Sequence, residues 1–242
     1  MKAISSVVIA LAIVLFAYIA GDAYRYKFRQ AERITVTGAA EINFVADLIV
    51  WNATYSRSSM ALQDAFSLLK KDEQMVRSYL SQQGLRDSEV VYFSVNIEKL
   101  YNTTYDDNGR ITGSVFAGNR LSQTVKVESH DIAKVDKISR EITQLIEQGI
   151  ELTSSPPNYY YTKLGDLKID LLAKASTDGE KRAETIAENA GQKLGRLKKA
   201  SMGVFQITGQ NENETYEYGG TFNTSSYKKT ASITVKQEYD VK

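Results

Sequence analysis

The 242-residue chain contains no cysteine, only two prolines, one histidine and one tryptophan. Without cysteine there can be no disulfide, thiolate metal site, cysteine nucleophile or lipidated N-terminal cysteine. The single histidine, His130, argues against multi-histidine zinc sites and serine–histidine catalysis. It precedes a predicted helix with Asp131 beside it, and reads as a surface or capping residue. Excess charge of one sign is also missing: 30 lysines and arginines face 29 aspartates and glutamates. No global positive field draws in nucleic acid, and no such partner is expected. No residue cluster calls for a metal or another cofactor.

What is present is 43% hydrophobic residues, enough for a sizeable core. Residues 3–20 carry no charge and as a helix would span roughly 27 Å at about 1.5 Å per residue. That approaches a hydrocarbon core of about 30 Å, so residues 1–23 are expected to form a membrane anchor, followed by a basic juncture at 24–33. The alternative is a cleaved secretory signal, because the strictly apolar run is only Val7 to Ala20 and Gly21-Asp22-Ala23 follows it. Either way the protein is sent to a membrane. Arg25, Lys27, Arg29 and Arg33 follow the run, which by the positive-inside rule places the large domain in the cytoplasm. A weakly charged N-terminus before an apolar run is equally how an exported protein begins, so the residues alone leave orientation open.

Beyond the juncture, Ile34 to Thr37 alternates as a strand, and Ile49, Trp51, Ala53 and Tyr55 predict a second. A helix starts from Ser58 or Ser59, carries Leu62, Ala65, Phe66, Leu69, Val76 and Leu80, and stops at Gly84. Val91, Phe93, Val95, Ile97 and Tyr101 are read as one face of a third strand. Asp106-Asp107-Asn108-Gly109 makes a turn before a strand near Leu121 to Val127. Its likeness to half a calcium loop stops at Val115, where a ligand glutamate would stand. A second helix runs from near Ser129 to Gly149. Ser154-Ser155-Pro156-Pro157 is the clearest linker, a boundary near 150–158 that would divide 34–242 into two subdomains, with a short strand at Asn158 to Tyr161. From Asp166, Leu172, Ala175, Gly179, Ala183, Ile186, Ala190 and Leu194 mark a long helix with a small-residue stripe. The last strand buries Ala231, Ile233, Val235, Tyr239 and Val241. Such an order predicts an α+β fold: mixed or antiparallel sheets packed with two or three helices.

The stretch 188–199, ENAGQKLGRLKK, resembles a phosphate loop in composition but not in order, since its glycines follow a helix instead of opening one. It is read as a helix end, with Gly195 as the left-handed cap and its basic residues on the negative helix terminus. Asp47 and Asp166 are the carboxylates that an enzymatic reading would use. The polar segment 209–229 carries Tyr216, Tyr218, Phe222 and Tyr227. It reads as a surface loop or as a contact surface for a partner or a neighbouring subunit. Four Asn-x-Ser/Thr triplets, at Asn52, Asn102, Asn213 and Asn223, are explained by chance in so Asn- and Thr-rich a chain.

The opening Ile34-Thr35-Val36-Thr37-Gly38, the long helix with Lys181, Arg182, Ala183 and Ala187 leading to Gly191 and Leu194-Gly195-Arg196-Leu197, and the final Ser232-Ile233-Thr234-Val235 form a pattern. From about Ile34 to Val241 the chain resembles the SIMPL domain proteins of the bacterial envelope. It departs from many relatives at Gly38-Ala39-Ala40 and Ala46-Asp47, where they carry Gly-x-Gly and Pro-Asp, and in its Asn- and Tyr-rich late loop. The resemblance implies an α+β fold, a position outside the cytoplasm, self-association and a protective role under oxidative or envelope stress. It brings no catalytic residues. The expectation is therefore a non-enzymatic envelope protein, anchored in the inner membrane with its domain in the periplasm or released there, and homo-oligomeric.

Overall fold

The computed structural model describes residues 2–29, 33–212 and 218–242, with side chains from 11 to 25 and over the two later stretches. Helix α1 (Lys2–Arg29) contains the expected anchor. Among the described residues no helix is long and apolar enough to cross a membrane. The side chains of 3–10, the first half of the expected span, lie outside the described residues. Those at 11–25 are exposed, Leu11, Val14, Phe16 and Ile19 among them.

The rest is α+β, with every strand pairing antiparallel. Strand β1 (Arg33–Val45) leads into β2 (Leu48–Ser59), α2 (Leu62–Gln82), β3 (Val90–Tyr92), β4 (Asn96–Tyr105) and β5 (Ile111–Ser129). Next come α3 (Ile132–Glu141), continued as a 3₁₀ turn to Gln148, then β6 (Glu151–Ser154), β7 (Asn158–Tyr160), α4 (Leu164–Asn189), β8 (Leu194–Met202), β9 (Gln206–Gly209) and β10 (Lys228–Val241). A central sheet runs β3-β5-β2-β6, with β4 also on β5 and β7 also on β2. A terminal sheet runs β1-β10-β8, with β9 also on β10.

The central sheet packs against α2 and α3 around large side chains. Ile49, Trp51, Tyr55, Leu69, Leu80, Leu121, Ile138 and Ile142 are all fully buried. Period-two alternation in β2 meets the three- and four-residue spacing of α2, as a strand face and a helix stripe must. Two of the buried polar groups there are paired across the core: Trp51 Nε1 donates to Ser154 Oγ at 3.0 Å, and the Tyr55 hydroxyl to Gln123 Oε1 at 2.8 Å. Asp72, buried on α2, accepts from Nε and Nη2 of Arg57.

The terminal sheet buries its face against α4 through small residues. Ala175, Gly179, Ala183 and Ala187, four apart, lie along one stripe of the helix, and Gly38 on β1 meets them so closely that a Cβ there would overlap Ala175 O and Gly179 N. Two devices close the sheet on the helix: Asp178 Oδ2 accepts from Ala39 N at 2.9 Å on the outer edge of β1, and Gln237 Nε2 donates to Ser176 O at 3.2 Å.

Several sequence expectations need correction. The third strand is broken at Phe93–Val95, which inverts the phase of its first part: Val90, Tyr92 and Val95 pack on the core, whereas Val91 and Phe93 are exposed; Ile97 and Tyr101 keep the core-side face but are exposed. Leu62 and Phe66 are exposed too, whereas Ala65 between them is fully buried. That helix starts at Leu62 after Ala61 with no side-chain cap, while Ser58 and Ser59 stay in β2. The strand expected near 121–127 begins ten residues earlier, at Ile111. Helix α4 ends at Asn189, and the left-handed residue after it is Gly191 (φ +73°). Gly195 lies in β8, packed on Asp240, so Arg196, Lys198 and Lys199 line a strand rather than a helix terminus.

Candidate interaction surfaces

The loop at 209–229 is only partly a free surface. Tyr216 lies outside the described residues. Tyr218 is wholly exposed beside a cavity of about 740 Å³ on the outer face of the terminal sheet, lined also by Ala39, Glu41, Val204, Gln206 and Thr234. Phe222, half exposed, sits where the loop runs alongside β9, Ile207 N donating to Thr221 O and Asn223 N to Ile207 O. Tyr227 instead joins the two sheets: its ring lies 6.0 Å from that of Tyr159, and its carbonyl accepts from Ala46 N. The three described aromatics thus meet three different surroundings. Beneath them Asn223 is buried, its oxygens accepting from Lys229 Nζ at 2.7 and 3.2 Å and from Ser226 N.

The same seam engages the carboxylate of Asp47. Its Oδ1 accepts from Thr162 N and its Oδ2 from Thr162 Oγ1, both at 2.7 Å, while its carbonyl oxygen lies 2.6 Å from His130 Nδ1. Asp47 therefore ties the β1–β2 junction to the start of α4, and His130 braces the same corner. The N-cap of α3 is Asp131, which accepts from Lys134 N. Asp166 is exposed on the first turn of α4. Among the described residues, no group of three or more histidines, aspartates or glutamates is placed to hold a metal ion. Nearby, Tyr159 donates to Asp136 Oδ1 at 2.8 Å, and burial together with that carboxylate pushes its hydroxyl up to about 12.

A surface missed in the sequence stands out by its chemistry. Beyond Asn119, where β2 ends, β4 and β5 continue as a two-stranded ribbon closed by the Asp106–Gly109 turn. In that turn Asp106 Oδ1 accepts from the amides of Asn108 and Arg110, and Gly109 takes φ +75°. The ribbon leaves the sheet at Gly118 (φ +131°), where the register steps over Ala117; such a bulge bends and twists a strand pair. Alternation puts Ile97, Tyr101 and Tyr105 on the face that, through Leu121, continues the central core. Phe116 and Ile111 stand opposite them. Ile97, Tyr101, Tyr105 and Ile111 are 55–70% exposed, and among the described residues the only ring contact in the ribbon is Tyr101 on Phe116, 5.8 Å apart and edge-on. Met60, Leu62 and Phe66, also exposed, flank its root, where Asn119 Nδ2 donates to Met60 O. A lone two-stranded hairpin is marginal in water, and this exposed apolar face is the kind of surface that makes a candidate interaction site. The available signal was the Ile97/Tyr101/Tyr105 alternation, which reads equally as a core strand.

The basic stretch forms the second such surface. Strand β8 pairs only with β10 among the described residues, and Arg196, Leu197, Lys199 and Met202 on it are exposed. The arrangement is suited to association: an apolar ribbon and a bare strand edge on one chain. No curated protein matches the sequence. A family model described as SIMPL, protein of unknown function (DUF541), matches residues 34–240, nearly all of the two-sheet body, and the chain accordingly belongs to the SIMPL family.

Proposed function

We propose that this protein is a non-enzymatic assembly module of the bacterial envelope, tethered to the inner membrane by α1, with its two-sheet body in the periplasm, and working as a homo-oligomer. The observation that carries the reading is the β4–β5 ribbon, whose apolar face none of the described residues covers. The tether is supported by the uncharged run at 3–20 and by the exposed apolar side chains of α1 from Leu11 onward. The periplasmic placement rests on the family resemblance and runs against the basic residues that follow the run. Light scattering on residues 33–242 tests the central claim, since that piece holds both sheets. A discrete multimer is expected, and a lone chain at micromolar concentration overturns it.

A second reading is favoured by Tyr218, fully exposed beside the 740 Å³ cavity. Here the late loop would capture another envelope protein, and removing residues 211–220 would abolish capture while leaving the solution mass unchanged.

A further inference from the structure

Resting on the self-association reading, we propose that the cover of the ribbon is the same ribbon of a second copy, the two packed face to face about a twofold axis with each turn over the other's root. Three observations carry this. The first is area. The five apolar side chains of the ribbon face and the three at the start of α2 are on average about half exposed. At roughly 200 Å² for each large side chain, they offer on the order of 800 Å², the share that each partner buries in a standard interface of about 1,600 Å².

The second is shape. A twofold contact uses one patch twice and must be self-complementary. A ribbon alternating large residues (Ile97, Tyr101, Tyr105) with smaller ones (Thr103, Ser114) on one face can interdigitate with its own reversed copy. The third is charge. Asp107, in the turn, and Lys99, at the root on the apolar face, are exposed and form no ion pair among the described residues. Antiparallel pairing brings each near the other's counterpart, twice per dimer.

The test uses the full chain in detergent. Because the protein has no cysteine, a single introduced cysteine reports one contact. Mild oxidation of Thr103→Cys or Ser114→Cys, at mid-ribbon on the apolar face, is expected to link most chains into dimers; Asn102→Cys, on the opposite face, should link few. No linkage at either mid-ribbon position, or equal linkage at Asn102, overturns the pairing. Solution mass separates the two levels of the idea: a multimer that links nowhere on the ribbon overturns the twofold contact alone, whereas a lone chain overturns self-association as well. If the emission of Tyr101→Trp shifts to the blue on addition of phosphatidylglycerol vesicles while Thr103→Cys stays unlinked, lipid covers the face and the proposal fails.

Discussion

The two sheets solve the same packing problem with opposite materials. The central sheet fills its helix interface with Trp51, Tyr55, Leu69 and Leu121, whereas the terminal sheet brings α4 almost onto β1 by using Gly38, Ala175, Gly179 and Ala183. Large side chains leave room for error in backbone position but none for lost volume. Small ones reverse that, since close backbone approach leaves nowhere for an added methyl to go. The central unit should therefore fail by deletion and the terminal unit by insertion.

The largest effect is expected from Trp51→Ala. The indole is fully buried and its Nε1 holds Ser154 Oγ, which in turn donates to Ser139 O at 2.6 Å. Truncation should cost about 3–5 kcal/mol in denaturant unfolding, and a loss below about 1 kcal/mol would show that this core collapses to fill the space. Next comes Gly38→Ala, one methyl in the terminal unit. The new Cβ meets backbone, the Ala175 carbonyl and the Gly179 amide, neither of which can turn aside. Overpacking of this kind costs about 1–3 kcal/mol, although the same change in an ordinary strand favours alanine. A stable Gly38→Ala variant would break the contrast between the units.

Gly179→Ala sharpens it. The added Cβ there runs into Oε1 of Gln237, the end of a side chain, and only approaches the Gly38 amide, at 3.3 Å. Alanine also gains about 1 kcal/mol of helix propensity over glycine. The two contributions oppose, so the thermal midpoint is expected to fall by much less than in Gly38→Ala. If both glycines respond equally, close approach along the whole stripe, rather than the one backbone contact, sets the limit.

How far these features were legible follows from the same contrast. The Ala175-Gly179-Ala183 stripe of α4 and the alternation of β2 and β10 could be read because those faces are buried, so period and burial agree; Ile186 and Ala190, read into the same stripe, are exposed, Ala187 is buried in their place, and Leu194 lies in β8. The ribbon could not, because its apolar alternation is that of a core strand, and only the end of β2 at Ser59 leaves it uncovered. The phase error over Val91 and Phe93 has a local cause: a break in the strand switches faces, and a one-residue slip moves every side chain to the other side. The basic run after Gly191 misled because Lys193 to Lys199 suits a helix terminus and an edge strand equally. The Asp47–Thr162 clasp lies across 115 residues of sequence and has no local signature.

Both units also carry a carboxylate clip at the rim, and these give the smallest effects, read through pH. Beside the central sheet, Glu89 accepts from the Arg86 guanidinium and backbone and from Ser129 Oγ, and these bonds, with Arg86 first, hold its carboxyl down at about 2. On the terminal sheet, Asp178 is lowered chiefly by the Ala39 amide and then by Arg182. A carboxylate whose folded value lies below its unfolded one, about 4 for either residue, stabilises fully above the unfolded value. That contribution is lost as pH falls through the folded value. The difference in unfolding midpoint between the wild type and Glu89→Gln should therefore be constant from pH 7 to about 5, shrink below about 4 and nearly vanish near 2. Asp178→Asn should follow the same sign with a smaller amplitude, because its carboxylate is open to water and screened. A gap that persists undiminished at low pH would mean that Glu89 acts through shape rather than charge, making this rim as dependent on volume as the core behind it.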